Sequence, residues 1–292
     1  MSCYQGRDKW IGTRLAFFVE QFGNKVASDI DGDDVHDALE ALARRGRVIN
    51  HGGRHADAVR LVNSGKPLAP ATINRHRTVL QGILTWAQKR RLMPRGWTNP
   101  VVETEVLPVG AGRLRYLSPE EYERLLKAAR ASNWKKLHVL IKLAVTTGAR
   151  KGALLGLRWQ DIDLKNRRAF VERTKNDEPF VMVLQEDVAW ELSKLKGSSR
   201  RDDLVFCGRD PEKPMSIRYP LITALADAGI EGVVFHTFRH THASWLAQKG
   251  VPLLTIAESM NHKTLAMTKR YAHLCVDSRA QTLQQVFGNS AA

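Results

Sequence analysis

Apolar residues recur at three- and four-residue intervals along most of the chain, so helices dominate the expected structure. Residues 10–24, WIGTRLAFFVEQFGN, and the DDVHDALEALARRG that follows both read as amphipathic helices. The second has Asp33 or Asp34 as N-cap and sets Leu39 and Leu42 on one face. Residues 46–70 are rich in Gly, polar and basic positions and predict a loop with one short helix. Periodicity returns in ATINRHRTVLQGILTWAQKRRLMPRG, where Thr72 is placed to cap and Ile73, Val79, Leu80, Ile83, Leu84 and Trp86 form the apolar side. It fails again in ETEVLPVGAGRLRYLSPEE, which carries Pro and Gly and ends in the helix start Ser118-Pro119-Glu120-Glu121. That break divides the chain into a helical domain over 1–106, a linker over 107–117 and a second domain over 118–292.

Beyond the linker, residues 118–164 predict three helices in succession. The middle one, with Leu137, Val139, Leu140, Leu143, Ala144 and Val145, is apolar on nearly every side and should be buried. RRAFVERTKNDEPFVMVL carries the clearest strand signal, two Val- and Phe-rich runs around KNDEP that read as a hairpin with Lys175 at its turn. The expected fold class is mainly α with a small antiparallel β-sheet.

Composition narrows the function. At 292 residues and 43% hydrophobic, the chain is long enough for two cores. A formal net charge of +15 and a pI near 10.0 call for a polyanionic partner, nucleic acid or an anionic membrane surface. Nucleic acid is favoured, because no apolar run approaches the roughly 20 residues that span a bilayer and the start MSCYQGRDKW has no signal-peptide core. Cys3, Cys207 and Cys275 match no ligand spacing and point to free thiols in a reducing cytoplasm. The helix from residue 71 concentrates Arg75, Arg77, Lys89, Arg90, Arg91 and Arg95 with no acid, so it is the first candidate DNA face, against the plainer reading of a solvated helix.

Metal is a weak prospect. Asp29, Asp31, Asp33 and Glu40 take positions 1, 3, 5 and 12 of a calcium loop, but Asp34 stands where the turn needs Gly, so capping is preferred. His236 and His240 have the i, i+4 spacing of a metal pair without an H-E-x-x-H motif or a third ligand. No cofactor is expected.

Several residues remain. Arg150 directly follows the buried helix's Thr147-Gly148 end, where it reads equally as an anion site near free backbone amides or as a surface ion pair. His236 and Arg239 share a helix face, and His262 precedes Tyr271 across a short helix-turn-helix passage. Two arginines, a lysine, two histidines and a tyrosine on a basic chain suit phosphoryl transfer. Paired guanidinium forks neutralise non-bridging oxygens without Mg²⁺. A tyrosyl phosphate stores the ester energy, so that a strand could be rejoined without ATP.

TTGARKGALLGLRW, HTFRHTHASWLAQKGV and NHKTLAMTKRYAHL resemble the three signature boxes of the tyrosine recombinases, the phage integrase family, and ATINRHRTVLQGILTWAQKRRLMPRGWTNPV is similar to the end of that family's core-binding domain. The resemblance implies that Arg150 and Arg239 clamp the scissile phosphate. It makes Lys175 the general acid to the departing 5′-hydroxyl. His236 then assists proton transfer at the tyrosine, His262 bonds a phosphate oxygen, and Tyr271 forms the 3′-phosphotyrosyl link. It further implies a C-shaped clamp on duplex DNA and a homo-tetramer on two paired sites. Residues 278–292, with Leu283, Val286 and Phe287, would dock on a neighbouring protomer. Accessory DNA-bending or excision-directing proteins are expected partners.

The chain departs from the family pattern at Ala153, where an acid is common, and at Met260-Asn261, where Leu-Gly is usual; Asn still accepts a left-handed turn. An N-terminal arm-binding domain is not expected. A type IB topoisomerase, a non-catalytic DNA-binding relative and a membrane-surface module are the competing readings.

Overall fold

A computed structural model describes residues 8, 10–50, 61–110, 112, 114–172, 179–275, 280, 283–284 and 286–288. The chain divides into two compact units, residues 1–112 and 113–292.

In the first unit, α1 (Ile11–Phe22), α2 (Gly32–Arg45) and α3 (Pro70–Lys89) enclose a core of Phe17, Phe18, Val35, Leu42, Leu80, Leu84 and Val101. The cap of α2 is Asp31, just ahead of the two positions expected: its carboxylate accepts from Asp34 N at 2.9 Å while Asp34 accepts from Asp31 N at 3.1 Å. Between α2 and α3, where a loop with one short helix is expected, the described ends form an antiparallel pair, and residues 51–60 lie outside the described residues. Strand β1 (Val48–Asn50) pairs with β2 (Leu61–Asn63), Val48 opposite Asn63. Helix α3 starts at Pro70 rather than after Thr72, because proline at the first helical position needs no N–H partner.

The second unit runs through α4 (Pro119–Ala131), α5 (Leu137–Thr147), α6 (Lys151–Leu155), β3 (Ile162–Asp163), β4 (Arg168–Val171), β5 (Phe180–Val183), α7 (Glu186–Lys196), α8 (Arg218–Asp227), α9 (Phe235–Gln248) and α10 (Leu253–Ser259), then 3-10 turns over Leu265–Met267 and Lys269–Cys275. The start of α4 is the capping box expected at Ser118 and Glu121. Helix α5 is the centre of the core, with Leu137, Leu140, Ile141 and Leu143 fully buried. The expected hairpin strands, β4 and β5, pair with Ala169 opposite Met182, and β3 joins them on the other edge of β4. The segment assigned as a linker is shared out: Asn74 brackets Leu107 through its N–H and C=O in the first unit, whereas Leu117 is wholly buried in the second. Among the described residues no helix is long and apolar enough to cross a membrane.

Candidate active site

Three local features set the site in the second unit. Helix α5 ends in a left-handed turn at Gly148 (φ +62°), where a Cβ would stand 2.6 Å from the His242 ring, so glycine is required both for conformation and for space. The turn brings Arg150 to the start of α6. That helix is barely more than one turn long, so its dipole adds little to anion binding and the guanidinium carries the attraction. Helix α9 crosses α5 and carries His236, Arg239 and His240 on adjacent turns. The 3-10 turn Lys269–Cys275 packs on α9 and α10 and presents Tyr271.

Arg239 is 4% exposed, and carbonyls rather than carboxylates hold its fork: Nη1 donates to Gly148 O at 2.6 Å and Nη2 to Met260 O at 2.5 Å. Half-buried Arg150 reaches the next carbonyl, Asn261 O, with both terminal nitrogens at 3.5 Å. Asn261 takes the left-handed conformation (φ +49°) expected of it in place of glycine. Burial and the nearby Arg150 charge lower Arg239 to about 10, leaving it cationic at neutral pH. Ala153 packs against the core, so no carboxylate stands at that position to balance the pair.

The histidines lie in the field of these charges. His262 Nδ1 contacts the buried Thr268 hydroxyl at 2.8 Å; in the tautomer where Thr268 donates, Nε2–H is the donor available to an anion. Burial first, then Arg239, Arg150 and Arg270, bring His262 down to about 4. His236 keeps part of its surface exposed, yet partial desolvation of its ring and then the same three arginines lower it too, and the ring meets that of His240 edge-on, centroids 4.8 Å apart. Among the described residues no group of three His, Cys, Asp or Glu faces a common point for a metal.

Tyr271 is 1% exposed and packs with Ala243, Ala247, Ile256 and Met260. Its hydroxyl lies 2.7 Å from Nδ1 of His240. Burial raises its pKa, with Arg270 and Arg239 pulling the other way. Arg150, His236, Arg239, His262 and Tyr271 are therefore brought into one neighbourhood of the second unit. Lys175 lies outside the described residues. The site also holds His240, Thr268 and Arg270, which sequence reasoning does not single out. Spacing offers His240 only as a metal partner of His236, and its contact with Tyr271 has no local signature.

The candidate DNA face needs one correction. Arg77 is 8% exposed and serves the fold of the first unit, donating from Nε to Thr104 Oγ1 at 2.9 Å and from Nη2 to Val101 O at 2.6 Å and Thr104 O at 2.8 Å. Buried inside that network, it does not reach out to phosphate. Arg75, Lys89, Arg90 and Arg91 are exposed. Trp86, expected on the apolar side, is 51% exposed and lies beneath the Arg90 guanidinium, 5.9 Å from ring centroid to Cζ. Arg75, Thr78, Gly82, Trp86 and Lys89 form one solvent-facing stripe of α3 at helical spacing.

Known proteins are similar to this chain in sequence and fold. The chain is similar to the integrase of Salmonella phage P22, 26% identical over 301 residues that cover 95% of this chain and 75% of that one. It is 28% identical to the shufflon-specific DNA recombinase of Escherichia coli, over 72% of this chain and about half, 53%, of the relative. Among solved structures, a fragment of the Tn1549 transposon integrase in complex with circular intermediate DNA has the same fold, with TM-score 0.69 at 18% identity over 95% of each chain. So does a λ integrase dimer bound to a core site, with TM-score 0.66 at 19% identity over 93% of this chain and 91% of that one. The model described as the phage integrase family matches residues 115–277, more than half of the chain and all the clustered residues from Arg150 to Tyr271, and the chain belongs to that family of tyrosine recombinases.

Proposed function

We propose that this recombinase cleaves and rejoins duplex DNA at specific sites through a 3′-phosphotyrosyl intermediate on Tyr271, for integration or excision of a phage or other mobile element. One observation carries the reading: Arg150 and Arg239 stand together, Arg239 within the field of the Tyr271 phenol, both held by backbone carbonyls and without a carboxylate partner among the described residues. Two partly desolvated cations without counter-charge are costly unless an anion completes the site, and a phosphodiester supplies that charge with matching oxygens. In this reading the guanidinium pair and His262 stabilise the charge that gathers on the non-bridging oxygens, and Tyr271 attacks phosphorus. The test is direct. Incubation with DNA spanning both ends of the host element, then denaturation, should leave a covalent protein–DNA complex; free DNA alone would refute the reading.

Lys175 is the general acid in this proposal, on the strength of the sequence alone. An alkoxide leaves poorly near neutral pH, so its oxygen needs a proton as the ester breaks. Lys175→Ala is expected to cleave normal DNA poorly while binding it as before. A substrate with sulfur at the bridging 5′ position should be cleaved readily, since a thiol of pKa about 8.5 leaves without help. Equal impairment on both substrates would assign Lys175 to positioning.

The first unit supplies affinity through the exposed stripe of α3 and the exposed Arg90 and Arg91 that follow it. Replacing Arg75, Lys89, Arg90 or Arg91 by Ala should each flatten the log-log salt dependence of DNA binding by about one unit for every phosphate the side chain neutralises. Arg77→Ala should leave the slope unchanged and instead destabilise the first unit by about 1–3 kcal/mol, because the Thr104 carbonyl would lose its donor and the Val101 carbonyl one of the donors it shares with Thr104 N and Oγ1. An unchanged slope in the first set would make α3 a solvated face. Assembly as a homo-tetramer on paired sites is part of the proposal, with Leu283, Val286 and Phe287, 59%, 61% and 66% exposed, as apolar positions for a neighbouring protomer. Accessory DNA-bending proteins and action in the bacterial cytoplasm or nucleoid complete it.

A further inference from the structure

We propose that His240, rather than His236, is the group that takes the proton of Tyr271 as the tyrosine attacks the scissile phosphate. The inference rests on the reading of Tyr271 as nucleophile and adds a catalytic residue to it.

The geometry singles His240 out. Its Nδ1 lies 2.7 Å from the Tyr271 hydroxyl, within proton-transfer reach, while the neighbouring His236 presents its ring edge-on to His240 from an exposed position. Both partners of the short contact are fixed. His240 sits in the middle of α9, and Tyr271 is locked into the core by Ala243, Ala247, Ile256 and Met260. A phenol below its pKa has one proton to give, and the acceptor nitrogen of a neutral imidazole is its natural partner.

The surroundings keep the ring neutral at rest, and in its Nε2–H tautomer Nδ1 is the acceptor facing the phenol. His240 is lowered to about 4 by burial, then by His236, Arg270 and Arg239. The charged and titratable groups around it are His236 and Arg239 on its own helix and Arg270 and Tyr271 on the 3-10 turn. Of the other helices packed on α9, α5 commits His138 and Lys142 to Glu191, and Glu258 of α10 is exposed. In the resting enzyme transfer is uphill, since burial also raises Tyr271. Two changes on reaction reverse this. A bound phosphate offsets the arginine field that depresses His240, and the phenolic proton becomes strongly acidic as the oxygen bonds to phosphorus.

The step balances. The Tyr271 O–H bond breaks and its proton passes to His240 Nδ1, while the phenolic oxygen pair forms the O–P bond. The P–O5′ bond breaks, and the 5′ oxygen leaves with a proton from the acid on its side, assigned above to Lys175. On rejoining, the 5′-hydroxyl gives its proton back to Lys175 as its oxygen attacks phosphorus, the P–O bond to Tyr271 breaks, and His240 returns its proton to the departing phenolate.

Single-turnover cleavage of a nicked suicide substrate, at saturating DNA and across pH 5–9, tests this. Wild type should be nearly flat around neutrality and fall at the acid end as His240 becomes protonated. His240→Asn keeps an amide group near the Nδ1 position but has no basic nitrogen. Its rate should lie on the order of 10²-fold below wild type at neutral pH. It should then rise about tenfold per pH unit as hydroxide or free phenolate replaces the base. A flat profile in His240→Asn, or the sloped one in His236→Asn instead, overturns the assignment. Nitrogen-15 histidine NMR of the folded wild type and Tyr271→Phe proteins gives a readout that does not depend on the variant's folding. One ring should carry its proton on Nε2 and shift at Nδ1 when the phenol is removed; a proton resident on Nδ1 would rule out its acting as acceptor. Failure of the underlying reading looks different: Tyr271→Phe would still form covalent complexes.

Discussion

Tyr271→Phe is expected to hold recombination-site DNA as tightly as wild type and to form no covalent protein–DNA complex at all. The substitution deletes one oxygen and nothing else of the packing. The ring fills a nearly closed space beside Ala243, Ala247, Ile256 and Met260, and phenylalanine has the same shape there. The cost to stability is one hydrogen bond, to His240 Nδ1, about 1 kcal/mol. Such a change leaves the domain folded, so a missing covalent product reports on chemistry. Without a nucleophilic oxygen no phosphotyrosyl ester can form, and water cannot conserve the ester energy for rejoining. Thermal unfolding, a DNA-binding titration and a denaturing gel on the same preparation would check all three statements. A covalent product that persisted would move the nucleophile elsewhere, with Tyr219, 79% exposed on α8, the next residue to replace.

Arg150→Lys should slow cleavage by about 10²-fold or more, about 2.7 kcal/mol of transition-state stabilisation, while melting as wild type does. The guanidinium of Arg150 is planar by delocalisation, and both its terminal nitrogens stand 3.5 Å from Asn261 O. A phosphate oxygen pair can meet that plane with two parallel hydrogen bonds, whereas an ammonium offers a compact charge with no fixed fork. Charge is conserved in the substitution, so DNA affinity should change little and the defect should appear in the single-turnover rate. Near wild-type turnover would place Arg150 outside the reacting centre. Arg239→Lys is a less informative counterpart. That fork also ties Gly148 to Met260, two backbone segments 112 positions apart by their numbers, so its removal would disturb the turn that sets Arg150.

Much of this molecule is legible in its sequence where the deciding forces act over a few residues. The Ser118–Glu121 capping box and the left-handed turns at Gly148 and Asn261 are settled by hydrogen bonds and steric limits within about one turn of chain, and the apolarity of α5 and the Val- and Phe-rich runs of β4 and β5 are written in their own residues. The same locality explains the near misses. Asp31, Asp33 and Asp34 are all competent caps, and only the backbone entering α2 selects Asp31, with Asp34 reciprocating. The pairing of β1 with β2 joins strands separated by a Gly- and charge-rich stretch that announces neither.

The linear order of residues carries the inventory: family, order of helices, and arginines, histidines and a tyrosine suited to a phosphodiester. Which member of that inventory meets which was decided only by tertiary packing. Arg75 and Arg77 are two positions apart on one basic helix, yet one faces solvent and the other donates to Val101 and Thr104, because the 3-10 turn after α3 docks on one side of it. His236 and His240 are one turn apart on α9, yet it is His240 that meets Tyr271 across a separation of 31 residues. Helical periodicity places both histidines near one face, but the 3-10 turn from Lys269 to Cys275, packed on α9 and α10, chooses between them, and that long-range contact leaves no trace in local spacing.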